Sequence, residues 1–461
     1  MDLKKILYNL PEVKHPIEKK LPFNQKLKWT LIVLAAFFIL ANIPLFGLAK
    51  NALDRFEYLA IILGTDFGSI ISLGIGPIVM ASIILQLLVG SGILNIDVST
   101  SEGKKYFQGI QKLGVLFFIL FEAMVYVIMG GLQALPGFTL MVIFQLILGG
   151  LAIMLMDEVT TKWGFGSGVS LFIVAGVAWR IVAGLIQFVG ANGENCFRDF
   201  SGTPCAGKLL VIIQSVISGA PKEALAAIAV IAVTAAIFFA VVWAQSLKVE
   251  IPLSYEKLRG YGIKWPLAFF YASVIPVILA AALLANIQLF GGLLENALGH
   301  PTFLGHFQNG QAVSGLAFWL GNSNILEGII KGSLQTAQII QGFTHLIFFM
   351  TISAVFAVLW VKTAGMDESN QAKKIIASGL QIPGFRKDQR ILESILKRYV
   401  MPLTIMGGLA VGALSAVADS LGALTSGTAI LLAVMIMYQL YQSVAQQHAV
   451  DMHPALKKIM E

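Results

Sequence analysis

The chain contains ten apolar stretches that are each close to the length of a membrane span. A bilayer core about 30 Å thick needs roughly 20 apolar residues in a helix. The first five stretches are Leu31–Phe46, Ile70–Leu94, Leu113–Leu135, Phe138–Met156 and Val169–Val189, and the second five are Ala224–Ala244, Trp265–Leu294, Ile339–Val361, Val400–Val417 and Thr425–Val444. Their length and their Leu, Ala, Phe and Ile content suit helices better than the short alternating strands of a membrane barrel.

The composition excludes a water-soluble protein. Of the 461 residues, 57% are apolar and only 12% are charged, whereas a soluble domain has about 25% charged residues. The sequence therefore predicts an all-α integral membrane protein with ten transmembrane helices.

The basic residues predict how the helices are oriented. When ten crossings are threaded with both termini on one side, 25 of the 32 Lys and Arg residues fall on that side. Because short basic loops stay in the cytoplasm, we expect a multi-pass protein of the cell membrane with both termini cytoplasmic. The first 28 residues are polar and basic, so we expect no cleavable signal sequence.

Two apolar stretches are too short to span a membrane. The first, Phe56 to Phe67, follows the first long stretch, and it predicts either a re-entrant helix on the external side or an amphipathic turn on the surface. The second, Leu209 to Ser218, predicts a short interfacial helix.

Two loops on the predicted cytoplasmic side are rich in basic residues. The longer runs from Lys362 to Tyr399, and the shorter runs from Lys248 to Lys264. Such loops either determine topology and contact anionic lipid, or bind an acidic partner such as RNA through its phosphates. The residues alone leave both interpretations open.

The chemistry of enzymes and ion-coupled pumps is scarce. Glu122 and Arg180 are the clear charges inside the apolar stretches, while Asp157, Glu158 and Asp419 lie near their ends. Proton relays need several such groups within the membrane. The six histidines are dispersed and no P-loop occurs, so we expect neither a metal site nor a cofactor nor nucleotide hydrolysis.

The chain has two cysteines, Cys196 and Cys205, in the loop between the fifth and sixth long stretches. A disulfide between them would close a short external loop. Two free thiols are the alternative.

Six short motifs occur in order along the chain. They are Leu73–Val79 with its continuation to Gln86–Leu88, Gly164–Ile173, Lys248–Leu253, Ile275–Leu279, Ala285–Gln288 and Gly384–Arg386. In this order and at these spacings they resemble the SecY protein-translocation channel family, in its archaeal branch. The resemblance covers essentially the whole chain.

The resemblance implies an architecture. Residues 1–190 and 224–461 would form two inverted, pseudo-symmetric halves that are hinged at the external loop 191–223, a layout also found among transporters. The short stretch at about residues 56–67 would be the plug that closes the external funnel. Its candidate residues are Phe56, Tyr58, Leu59, Ile62 and Phe67.

The resemblance also implies a pore constriction and a lateral gate. The positions that match the family's pore ring are Ile75, Val79, Val169, Ile173, Ile278 and Leu432, and those that match its gate helices are Pro77, Glu122, Pro276 and Asn286. Aliphatic side chains can close a pore by dewetting and by steric fit. Pro77 and Pro276 are expected within the gate helices, where proline permits bending. A third polar gate position of the family is Met80 here, which departs from the pattern.

The implied function is a protein-conducting channel and not an enzyme. Such a channel passes unfolded polypeptides across the membrane and releases apolar segments into lipid. The implied partners are SecE, a beta subunit, the ribosome with its nascent chain, signal sequences and membrane lipids. The candidate docking residues for the ribosome or another cytosolic partner are Lys257, Arg259, Arg386 and Lys387.

From the residues alone, the leading alternative is a secondary transporter, because ten-helix bundles with interrupted segments are common among transporters. A solute transporter needs convergent polar groups near the middle of the membrane, and this chain would place aliphatic residues there. A membrane enzyme is a more distant alternative, since no Ser/His, Asp/Asp or metal-binding arrangement is evident.

Overall fold

The structure is a computed structural model of the 461-residue chain. It describes residues 10–17, 21–48, 68–90, 92–94, 96, 100–128, 132–188, 196, 205–255, 262–308, 311–381 and 388–452. These residues are predominantly helical, as the sequence predicts.

The first five helices are α1 (Phe23–Ala41), α2 (Gly76–Gly90), α3 (Ser101–Ile128), α4 (Thr139–Trp163) and α5 (Gly168–Ile186). The later helices are α6 (Lys208–Ile217), α7 (Pro221–Ser246), α8 (Ile275–Leu298), α9 (Leu316–Trp319), α10 (Ile325–Lys331), α11 (Thr336–Thr363), α12 (Glu368–Ala377), α13 (Gln389–Ser420) and α14 (Gly427–Met452). Each of the ten predicted apolar stretches contributes residues to one of them.

Eight helices in the described part of the chain are long and apolar enough to cross a membrane. They are α1, α3, α4, α5, α7, α11, α13 and α14. Helix α2 has 15 residues, and α8 has 24. An all-α membrane protein is thus confirmed, while the count of ten spans stays a prediction. The short stretch before α7 does form a helix, α6.

The strands lie in the segments that connect helices. They are β1 (Lys248–Tyr255), β2 (Gly262–Ala268), β3 (His306–Gln308), β4 (Gln311–Ser314) and β5 (Leu380–Gln381). Strand β1 pairs antiparallel with both β2 and β5, and β3 pairs with β4.

The seventh apolar stretch was predicted to be helical from Trp265 onward, and this is wrong. Trp265 lies in β2, and α8 begins only at Ile275.

Backbone contacts divide the chain into two compact units. One comprises Met1–Ala178 with Ile436–Glu461, and the other comprises Trp179–Met435. In the first unit, a core of fully buried side chains such as Ile71, Leu73 and Leu146 joins α1 to α5. The two inverted halves predicted from the resemblance stay a prediction.

Small residues bring helices of the second unit close together. A Cβ atom at Gly412 of α13 would lie 2.4 Å from the Phe349 carbonyl oxygen of α11. Glycine therefore allows the two backbones to touch, which is how helices associate where no hydrophobic effect drives them together.

In the same unit, Cys196 and Cys205 form a disulfide with their Cα atoms 5.4 Å apart. The structure thus decides between the two alternatives for these cysteines.

Candidate functional site

The chain enters α2 through a buried turn. Ile71 and Leu73 have no exposed surface, and the Ser72 hydroxyl accepts a hydrogen bond from the Gly68 N–H at 2.8 Å and donates one to the Ser69 carbonyl at 2.6 Å. A Cβ atom at Gly149 of α4 would lie 1.9 Å from the Ile70 carbonyl oxygen. Only glycine fits there, so the turn is held directly against the α4 backbone.

This turn positions the first two predicted pore residues. The Val79 N–H donates to the Ile75 carbonyl at 3.0 Å, which places Ile75 and Val79 one helical turn apart on the same face. Ile75 is buried and belongs to the core cluster of the first unit, while Val79 is partly buried and packs against it.

The next two predicted pore residues begin α5. Val169 and Ile173 are four residues apart and therefore share a face of this helix. Both pack against the same core cluster that contains Ile75. Four of the six predicted ring residues therefore belong to, or pack against, one apolar core cluster.

A capping aspartate fixes where α5 starts, and the sequence analysis missed it. The Asp157 side chain of α4 accepts a hydrogen bond from the Val169 N–H at 2.9 Å. A carboxylate at a helix N-terminus accepts a hydrogen bond from a free N–H group and interacts favourably with the positive end of the helix dipole. Asp157 had been noted only as a charge near the end of a stretch. The glycine-rich turn of residues 164–168 directly before an apolar helix was the signal that could have suggested a cap.

The remaining two predicted ring residues lie in the second unit. Ile278 is partly buried in the first turn of α8, and Leu432 is buried in α14. Their assignment to a pore ring stays a prediction.

The predicted gate residues occupy three helices. Glu122 is partly buried on α3, and Asn286 belongs to α8. Pro77 and Pro276 were expected inside their helices. They are instead the second residues of α2 and α8. Proline in the first turn removes no intrahelical hydrogen bond, so the expected bending at these prolines is wrong. Both prolines instead help to start their helices.

The predicted plug residues, Phe56, Tyr58, Leu59, Ile62 and Phe67, lie outside the described residues. Both flanks of this segment are described. After the segment, the Gly68 carbonyl accepts from the Leu45 N–H at 2.8 Å, while before it the Gly47 carbonyl accepts from the Leu135 N–H at 2.8 Å. The described residues that flank this segment, Gly47 and Gly68, are therefore both fixed by backbone hydrogen bonds.

The two basic loops are joined by backbone pairing, which sequence reasoning did not anticipate. Ser254 pairs with Gln381 and Tyr255 pairs with Leu380. The candidate docking residues Lys257, Arg259, Arg386 and Lys387 lie outside the described residues, but each loop leaves or enters this shared sheet.

A compact apolar core supports the sheet. It contains Ile251, Leu267, Tyr271, Ala272, Ala357, Val361, Ala372, Ile375, Leu392, Leu396, Val400 and Leu403, and we call this set the hairpin core. The Tyr271 hydroxyl donates to the Met366 carbonyl at 2.6 Å. Burial, with smaller contributions from the charges of Asp367 and Glu368, raises the pKa of Tyr271 to about 12.

Comparison with known proteins defines the class. A family model described as SecY matches residues 69–441. The protein translocase subunit SecY of Methanothermobacter thermautotrophicus is 43% identical over 456 residues, which cover 98% of this chain and 96% of that protein.

Two solved structures agree. A structure described as showing that the plug domain of SecY stabilises the closed state of the translocation channel has a TM-score of 0.77 at 37% identity and covers 99% of both chains. Sec61 in the canine ribosome-channel complex has a TM-score of 0.76 at 36% identity, again with 99% of both chains covered.

The fold and these likenesses define a subunit of a protein-conducting channel, and they exclude both the secondary transporter and the membrane enzyme. The chain belongs to the SecY family.

Proposed function

We propose that this chain is the central pore-forming subunit of the channel, and that Ile75, Val79, Val169, Ile173, Ile278 and Leu432 form its constriction. The observation that carries the ring assignment is that Ile75 belongs to the apolar core cluster of the first unit, against which Val79, Val169 and Ile173 pack. Flexible aliphatic side chains can close around a passing polypeptide without binding it, and they exclude water and ions when it is absent.

The proposed plug is the segment of about residues 56–67. The backbone hydrogen bonds of the described flanking residues support this assignment, because the Gly68 carbonyl after the segment accepts from the Leu45 N–H of the chain before it. Its candidate residues are Phe56, Tyr58, Leu59, Ile62 and Phe67.

The proposed lateral gate is formed by the helices that carry Pro77, Glu122, Pro276 and Asn286. A signal sequence is an apolar helix, so its free energy falls when it leaves an aqueous pore for lipid. The two halves, residues 1–190 and 224–461, would part around the hinge loop 191–223 to let it through.

The proposed partners are SecE, a beta subunit, the ribosome with its nascent chain, signal sequences and membrane lipids. Lys257, Arg259, Arg386 and Lys387 would contact ribosomal phosphates, and the pairing of β1 with β5 supports a joint role because it links the two loops. In this proposal the channel lies in the cell membrane with both termini in the cytoplasm.

The test is photocrosslinking from a probe at Ile278 to a ribosome-bound nascent chain, in membranes that also contain the partner subunits. We expect a crosslink that requires a signal sequence on the nascent chain. A probe at Phe239 of α7, which is 68% exposed, is the matched control and should reach lipid only. Equal crosslinking from both probes, or none from Ile278, would overturn the proposed constriction.

A further inference from the structure

Four charged side chains meet at one end of α4, all within the first unit. Lys112 of α3 and Lys162 of α4 both contact the Glu158 carboxylate, and Lys162 also contacts Glu12. The side chains of Lys112, Glu158 and Lys162 are only 12%, 18% and 10% exposed. We call these four residues the clamp.

The clamp attaches the segment before α1 to the end of α4. The Val13 N–H donates to Glu158 Oε2 at 2.8 Å, and Lys162 Nζ donates to the Val13 carbonyl at 2.7 Å. Trp163 Nε1 also donates to the Lys14 carbonyl at 2.9 Å. The hydrogen bond from Lys162 holds the pKa of Glu12 below its ordinary value of 4.5. These bonds use backbone groups as well as charges, so the segment has a defined position on α4.

The neighbouring residue on α3 joins this helix to α2. Gln111 Nε2 donates to the Ser82 hydroxyl at 2.7 Å, and that hydroxyl donates to the Ile78 carbonyl at 2.7 Å. A Cβ atom at Gly114 would lie 3.4 Å from the Ala81 Cβ, so the two helices are in close contact there. Two consecutive residues of α3 therefore connect it to α2 on one side and to α4 on the other.

This arrangement matters for the gate because α2 and α3 carry Pro77 and Glu122. Lys112 lies ten residues before Glu122 on the same helix, or about 15 Å along its axis. A partly buried charge that loses its partner is poorly solvated, so α3 cannot move away from α4 without disrupting the clamp. Separation of α3 alone is therefore disfavoured.

We propose that the clamp, together with the Gln111–Ser82 contact, makes α2, α3 and α4 one rigid gate wall and thereby sets how apolar a signal sequence must be to open the channel. The inference rests on the proposed function. Lys112, Glu158, Lys162 and Glu12 are positioning residues that act on the gate through α3. Weakening the clamp frees α3 and lowers the cost of opening.

The test compares Lys112→Met with two controls in the full chain with its partner subunits. Lys112→Arg keeps the charge, and Lys105→Met removes the same charge from an exposed position on the same helix. Each channel is reconstituted and given two reporters, one with a full signal sequence and one with a shortened apolar core. We expect Lys112→Met to raise transport of the weak-signal reporter about fivefold relative to the full-signal reporter, as a shift of about 1 kcal/mol in a two-state equilibrium would. Both controls should behave as the unmodified protein.

A second measurement is independent of transport. Spin labels at Gln108→Cys on α3 and Thr161→Cys on α4, both exposed positions, report the distance between the helices. We expect one narrow distance distribution in the unmodified protein, in Lys112→Arg and in Lys105→Met, and a broad one in Lys112→Met. The proposed role of the clamp would be overturned if Lys112→Met left the spin-label distance distribution unchanged. It would also be overturned if Lys112→Met changed transport of the weak-signal and full-signal reporters equally. Failure of the unmodified channel to transport either reporter would count against the proposed function, and the spin-label distances would still test the attachment of α3 to α4.

Discussion

The clamp in the first unit and the hairpin core in the second hold connecting segments in opposite ways. In the clamp, Lys112 and Glu158 are both less than a fifth exposed. On the paired strands β1 and β2, the side chains of the ion pair Lys264 and Glu250 are 73% and 52% exposed. Beneath them, apolar residues of the hairpin core such as Leu396 are fully buried. We therefore expect the largely buried ion pairs of the clamp to contribute to structure, whereas the exposed ion pair on β1 and β2 should contribute little.

The largest expected effect concerns the hairpin core. Leu396→Ala should destabilise the protein by about 2–5 kcal/mol, because it removes a fully buried side chain and leaves a cavity. Denaturant unfolding in detergent measures the change. Leu359→Ala on α11, where the side chain is 50% exposed, is the control and should cost much less. Similar losses for the two variants would mean that the hairpin core is not tightly packed.

The next effect concerns the clamp. Glu158→Gln should cost about 2 kcal/mol, because it leaves Lys112 and Lys162 partly buried without their shared counter-charge. The same unfolding measurement applies, together with proteolysis of the segment before α1, which should be cut faster. Glu250→Gln changes the exposed hairpin pair in the same chemical way and should leave the unfolding midpoint unchanged. If both variants behaved alike, burial would not distinguish the two regions.

A smaller effect should appear in the hairpin core at high pH. The folded pKa of Tyr271, about 12, lies above its ordinary value of 10. Its contribution to stability is therefore fully present below pH 10 and is lost as the pH rises from 10 towards 12. Phenolate absorbance should show this tyrosine titrating late. Tyr271→Phe, which loses the hydrogen bond to Met366 at a cost of about 1 kcal/mol, should remove the contribution of one tyrosine to that late titration. An absorbance change between pH 10 and 12 that is as large in the variant as in the unmodified protein would mean that Tyr271 does not titrate there.

The two regions also differ in how far the sequence predicts them. Apolar length predicts the membrane helices, whereas the pore positions Val169 and Ile173 came only from the family resemblance. Averaged hydropathy cannot separate the β2 strand around Trp265 from the helix that begins at Ile275, because both are apolar. The contact between Lys162 and Glu12 joins residues 150 positions apart, and no local pattern encodes such a pairing. The Asp157 cap similarly depends on two helix ends meeting in space.

The smallest expected effect is the release of the clamp by acid. The hydrogen bond from Lys162 lowers the folded pKa of Glu12 below 4.5, so its stabilising contribution is present above pH 4.5 and is lost as the pH falls through the lowered value. The Glu12 side chain is 59% exposed, which screens the pair and keeps the effect small. A spin label at Ile17→Cys, a fully exposed position, should become more mobile when the pH falls below the lowered pKa of Glu12. In Glu12→Gln the label should already be more mobile at neutral pH and should respond less to acid. An equally large acid response in that variant would place the titrating group elsewhere, and Glu12 would then not be the acid-sensitive member of the clamp.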